Sequence, residues 1–158
     1  MAIRNIRKEG DEVLKKKSKE VEVIDEKIIE LLNDMVETMH KYDGVGLAAV
    51  QVGILKQVIV IETEDDPLYV LINPEIISSS GKQLVDEGCL SFPNKFGKIE
   101  RPEKVKVRAL NEDGKKIEIK ATGLLAQAIC HEIDHLNGEV FIDKIIPGSL
   151  EIIKPEKK

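Results

Sequence analysis

The stretch of residues 122–138 constrains this chain more than any other. It reads as a helix that is apolar on most of its surface yet carries two imidazoles and a carboxylate. Thr122 is a candidate N-cap and Gly138 a candidate stop, with Leu124, Leu125, Ala128 and Ile129 between them. A helix apolar on most sides belongs inside a fold. Buried polar groups without partners are costly, so His131, Glu132 and His135 each need one. In His131-Glu132-Ile133-Asp134-His135 the two histidines stand one turn apart on the same helix face. Imidazoles so placed can share one metal ion, and a glutamate beside the first can reach a water on that ion. The segment predicts a buried metal-binding helix with its general base attached. The plainer alternative is an exposed face with two solvated imidazoles.

The rest of the chain supplies the frame. Ile28, Leu31, Leu32, Met35, Val36 and Met39 follow helical spacing over residues 25–42, with Asp25 as N-cap and Gly44 to end the helix. Gly44-Val45-Gly46-Leu47-Ala48-Ala49 is small and glycine-rich, and reads as a loop or tight turn where backbone approaches something closely. Residues 58–62, 69–77 (interrupted at Asn73-Pro74), 105–110 and 116–121 read as strands. Residues 78–81 read as a turn, and Asn111-Glu112-Asp113-Gly114 as a hairpin. Hairpin-length connections imply mostly antiparallel pairing. The expected class is α+β, with mostly antiparallel strands packed around a central metal-binding helix and one long N-terminal helix.

Length and charge narrow the function. At 158 residues the chain is one domain, with Ile, Val and Leu filling a core that has few aromatics. A net charge of -5 argues against nucleic-acid binding driven by overall charge. The lysine runs at residues 15–17 and 154–158 lack interleaved aromatics and read as solvated surface. No apolar h-region and no apolar stretch of membrane-spanning length is present, which predicts a cytoplasmic protein. Cys89 and Cys130 are then thiols or ligands rather than a disulfide.

A catalytic metal usually has three protein ligands and one open position, so the third ligand decides the class. Phe141 stands where a metzincin-type third histidine would be. Glu139, Glu151 and Glu156 follow the motif, but little chain remains to present one from a further packed helix. His40, late in the first helix, reads as a surface or core residue. Cys130 lies about 100° round the helix from His131 and faces elsewhere. Cys89, after Gly88, which frees the backbone to turn, gives a chemically sound Cys/His/His set for Zn or Fe. The plainer alternative for it is a small buried hydrophobe.

Three segments together resemble the peptide deformylase family: Gly44-Val45-Gly46-Leu47-Ala48-Ala49-Val50-Gln51, Glu87-Gly88-Cys89-Leu90-Ser91, and His131-Glu132-Ile133-Asp134-His135-Leu136. They occur in the family's order, and the resemblance covers residues 1–147 as a single catalytic domain, leaving 148–158 as a short charged tail. It implies that Cys89, His131 and His135 are the metal ligands and Glu132 the general acid/base. Gln51, through its side-chain amide, and Leu90, through its backbone N–H, would donate to the oxyanion. Gly46 would hold an extended peptide, and Glu87 would pair with Arg101. Val45, Val85, Leu124 and Ala128 would line a methionine pocket.

The implied reaction removes the N-terminal formyl group from formyl-methionine of newly made polypeptides and releases formate. One divalent metal is implied, Fe(II) in the cell, with Zn, Ni or Co as replacement. Nascent polypeptide N-termini are the expected partners, with neither DNA nor membrane. The family often has Gln before the first histidine, where this chain has Cys130, and Pro where it has Val50. The short tail lacks the final helix that docks some members on the ribosome. The alternatives are a zinc peptidase cleaving internal bonds, which needs a His or Glu third ligand, and a structural four-ligand metal with Cys130 included.

Overall fold

Asp25 caps the first helix as its position predicts: its side chain accepts the Ile28 N–H at 3.0 Å, and α1 runs Glu26–Lys41. A computed structural model describes residues 2–153 of the chain. Ile28, Leu31, Leu32, Met35 and Met39 form the buried stripe of α1. The helix closes at Tyr42, but Asp43 rather than a glycine takes the left-handed position, with φ +53°. Gly44 serves a different purpose, since a Cβ there would stand 2.8 Å from Leu90 Cδ1.

The strands are β1 (Gly46–Ala48), β2 (Val58–Ile61), β3 (Tyr69–Ser80), β4 (Gln83–Cys89), β5 (Phe92–Arg101), β6 (Lys104–Leu110), β7 (Lys116–Thr122) and β8 (Glu151–Ile152). They form a five-stranded sheet in the order β1-β2-β3-β6-β7 and a three-stranded sheet in the order β4-β5-β8. Every strand pairing in both sheets is antiparallel. With α1 and α2 (Gly123–Leu136), this is an α+β architecture.

β2 explains the layering. All four of its residues are buried, as in a strand covered on both faces. Val58 and Val60 pack with the apolar stripe of α1, while Ile59 and Ile61 pack with Leu125, Ala126 and Ile129 of α2. A third cluster, Leu14, Phe92, Ile99, Val140 and Phe141, sits beneath the smaller sheet.

Four expectations change. Residues 46–48 are not loop: Leu47 and Ala48 are fully buried, and the segment pairs with β2 in register Gly46↔Ile61. Asn73-Pro74 interrupts the β3 ladder without breaking the strand, which runs past residue 77. Asn73 adopts φ +52° in a bulge and exchanges hydrogen bonds with the Val21 backbone at 2.8 and 2.9 Å. The expected turn at residues 78–81 contracts, because β3 runs through Ser80. Within residues 148–158, Glu151–Ile152 adds an edge strand to β5, and the lysine run at 154–158, with Glu156, lies outside the described residues. No helix among the described residues is long and apolar enough to cross a membrane.

Candidate metal centre and active site

α2 presents His131 and His135 from one face, and both are buried. Their Nε2 atoms lie 3.2 Å apart. Cys89, at the end of β4, brings its Sγ to 3.3 Å from His135 Nε2. All three donor atoms lie within 4.8 Å of one another. A tetrahedral ion with ligand bonds of about 2.0–2.3 Å holds its donors about 3.3–3.6 Å apart. Lone pairs converging so closely repel unless a proton or a cation lies among them. The donor set therefore fits a metal ion of the Zn or Fe type. His135 Nδ1 and Glu132 Oε1 are buried without a hydrogen-bond partner among the described residues.

Glu87 organises the first histidine. Its carboxylate accepts Arg101 Nε at 3.0 Å, Arg101 Nη2 at 2.5 Å, Gln127 Nε2 at 3.3 Å, and a hydrogen bond from His131 Nδ1. Burial opposes its charge, but His131 and Arg101 outweigh burial and hold the pKa at about 2. An ionised carboxylate can only accept, so His131 Nδ1 carries the proton and Nε2 keeps its lone pair for the donor set. Arg101 is fixed in turn by Asp134 at 2.6 Å. With no cation among the donors, Glu132, Cys89 and Glu87 outweigh burial and favour a second proton on His131, which a bound metal would displace from Nε2. Burial and the neighbouring His131 push His135 down.

Glu132 is the buried carboxylate beside this set, with Oε2 4.0 Å from His131 Nε2. Burial, opposed by His131, raises its pKa to about 7. Gly46 makes room for it: a Cβ there would meet Glu132 Oε2 at 2.7 Å. Glycine is therefore required at this position for close approach. The same holds for Gly88. It lies within β4 rather than at a turn, and a Cβ there would stand 2.7 Å from the Phe96 ring.

A cavity of about 940 Å³ opens over these groups. Val45, Gly46, Gln51, Leu90, Leu124 and Ala128 line it. Val85 does not. Its register partner is Ile99, and it packs into the third cluster with Leu14 and Phe92, which corrects its expected place in the pocket. β1 and β4 are edge strands of their sheets, and Gly46 and Gly88 both face this cavity. His40 is exposed and pairs with Glu62 at 2.5 Å. Cys130 is buried among apolar residues, which pushes its thiol up to about 11, and it does not join the donor set. Glu139 is taken by Lys144 at 2.9 Å.

Sequence reasoning missed Gln127 and Ser91. Gln127 stands one turn before His131 on the same face of α2, and that polar interruption was its available signal. Ser91 closes the Glu87-Gly88-Cys89-Leu90-Ser91 segment of the resemblance, and that was its signal.

One thiolate, two imidazoles and a buried carboxylate at the foot of a cavity define a metal-binding hydrolase. Residues 3–150 match the polypeptide deformylase family, and the chain belongs to it. It is 61% identical over 146 residues to the peptide deformylase of Alkaliphilus metalliredigens, covering 92% of this chain and 99% of that one. It is 59% identical over 145 residues to peptide deformylase 1 of Clostridium acetobutylicum, covering 92% and 96%. The crystal structure of peptide deformylase from Thermotoga maritima superimposes with a TM-score of 0.89 at 42% identity, covering 92% of this chain and 99% of that chain.

Proposed function

We propose that Cys89, His131 and His135 hold one divalent metal ion, and that Glu132 serves beside it as general base and then general acid. The enzyme removes the formyl group from the N-terminal formyl-methionine of newly made polypeptides and releases formate. The observation that carries the site assignment is the convergence of the three donor atoms within 4.8 Å beside a buried carboxylate. The bound metal supplies Lewis acidity and makes a water nucleophilic near neutral pH.

The chain's own groups do the rest. The unpaired edges of β1 and β4 face a common cavity, and an extended peptide can add its backbone between them. Val45, Leu124 and Ala128 receive the methionine side chain. Glu132 accepts the proton of the attacking water and passes it to the leaving amine. The Gln51 amide and the Leu90 N–H donate to the negative charge that develops on the formyl oxygen. Glu87 keeps His131 in its ligating tautomer.

Residues 1–147 act as one catalytic domain built around α2, followed by the short segment 148–158, and the protein works in the cytoplasm on nascent chains. Fe(II) is the metal in the cell, with Zn, Ni or Co taking its place on purification. Anaerobic iron-loaded protein should then outperform the zinc form, and equal activity would contradict this. The internal peptidase reading is not favoured, because the third donor in the cluster is Cys89 and not a His or Glu. Cys89→Ala tests the assignment. Loss of bound metal and of formate release is expected, and a variant keeping one equivalent of metal and full activity would overturn it.

A further inference from the structure

We propose that Ser91 is a positioning residue for this reaction: its buried hydroxyl orients the Gln51 amide, and the N-terminal segment of residues 2–11 locks the two together. The proposal rests on the reading of Gln51 as an oxyanion donor.

A side-chain amide offers one acceptor oxygen and two N–H donors. In Gln51 two of these are committed. Oε1 accepts the Ala48 N–H at 3.0 Å, the backbone just before the turn Ala49–Val52 that carries Gln51. Nε2 donates to Ser91 Oγ at 3.0 Å. Exchanging oxygen and nitrogen would set the amide N–H against the Ala48 N–H, donor against donor. The backbone therefore decides which way the amide points, and Ser91 decides its rotation. The remaining N–H lies on the side of Cys89, whose Sγ is 3.5 Å from Nε2. That is the margin of the metal-donor set, where a formyl oxygen would develop charge. Gln51 and Ser91 are essentially inaccessible to solvent, so water cannot replace the hydroxyl.

The N-terminal segment fixes the separation of the two partners. The Arg7 N–H donates to the Gln51 carbonyl at 2.6 Å, and the Glu9 N–H donates to the Ser91 carbonyl at 2.8 Å. One short stretch thus bridges the turn that carries Gln51 and the loop that carries Ser91. The stretch is itself anchored at both ends. Asp34 accepts the Ala2 N–H at 2.7 Å and Arg4 Nε at 2.9 Å, and Asp11 accepts the Val13 N–H at 3.0 Å. Lys95 pairs with Glu9 midway.

The test is a double-mutant cycle on metal-replete protein, with formate release from formyl-Met-Ala-Ser as the rate. Gln51→Ala should lower kcat by about 10²- to 10³-fold, as loss of an oxyanion donor does. Ser91→Ala should lower kcat and kcat/KM together, by about tenfold or more but by no more than Gln51→Ala does, with KM unchanged. In the Gln51→Ala background, Ser91→Ala should cost nothing further. Unchanged kcat in Ser91→Ala, or an equal fold loss in both backgrounds, would overturn the positioning role while leaving Gln51 intact. Full activity of Gln51→Ala would overturn the donor reading, and the proposal with it. The wild type gives an independent readout. One side-chain N–H of Gln51 should exchange slowly with solvent by NMR, and fast exchange of both would overturn the proposal however the variants fold.

Discussion

Gly46→Ala isolates the placement of Glu132. A methyl at residue 46 would meet Glu132 Oε2 at 2.7 Å, Cγ at 3.0 Å and Cδ at 3.1 Å. Ordinary contact begins at 3.4 Å, so the carboxylate must retreat by about 0.7 Å. Rotating the far oxygen does not suffice, because Cγ and Cδ are also too close. The backbone of Gly46 cannot yield either, being paired with Ile61 on β2. A misplacement near 1 Å can cost about 10²-fold in rate. We expect Gly46→Ala to lower kcat about 10²-fold, with metal content near wild type. Steady-state formate release with full metal loading measures it. A variant whose kcat stays within about threefold of wild type, while Glu132→Ala is inactive, would refute the argument that this glycine sets the carboxylate's position.

Four further outcomes follow from the same geometry. Glu87 has a folded pKa of about 2 against an ordinary value of 4.5, so its stabilisation is present above pH 4.5 and is lost as pH falls toward 2. This amounts to about 3 kcal/mol, and urea denaturation of metal-free protein between pH 2 and 5 should show it in wild type and not in Glu87→Gln. The same variant should bind metal about 10- to 100-fold more weakly, and unchanged affinity would remove the tautomer-fixing role. In metal-free protein the Glu132 carboxyl should titrate near pH 7 by carbon NMR and move down on metal loading; titration near 4.5 would contradict its burial. Gly138 has φ +75° and no room for a Cβ, which would fall 2.5 Å from the Lys15 carbonyl oxygen. Gly138→Ala should therefore cost about 2–3 kcal/mol in denaturant titration, and a neutral change would refute the strain argument.

The two helices were legible because their signals are local. Apolar spacing, Asp25 as a cap and Gly138 as a stop each act within a few residues. β2, β6 and β7 were legible for the same reason, since β-branched runs and the Asn111 hairpin are read from neighbours. β4 and β5 were not. Their residues include Asp86, Glu87, Asn94 and Lys95, which look like loop until Glu87 is seen buried against Arg101 and His131. The strand is polar because it serves the site. His131, Glu132 and His135 declared themselves by helical spacing, whereas Cys89 joins them only through tertiary folding, and residue spacing left it open. Val85 shows the limit of carrying a residue over by resemblance, since its pairing with Ile99 turns it into the third cluster.

The most direct measurement is formate release from formyl-Met-Ala-Ser by anaerobic, iron-loaded protein, beside Glu132→Ala prepared in the same way. Rapid release by the wild type and none by the folded, metal-replete variant is the predicted result. No release by the metal-replete wild type would contradict the deformylation account, and release by Glu132→Ala at the wild-type rate would remove Glu132 from the chemistry.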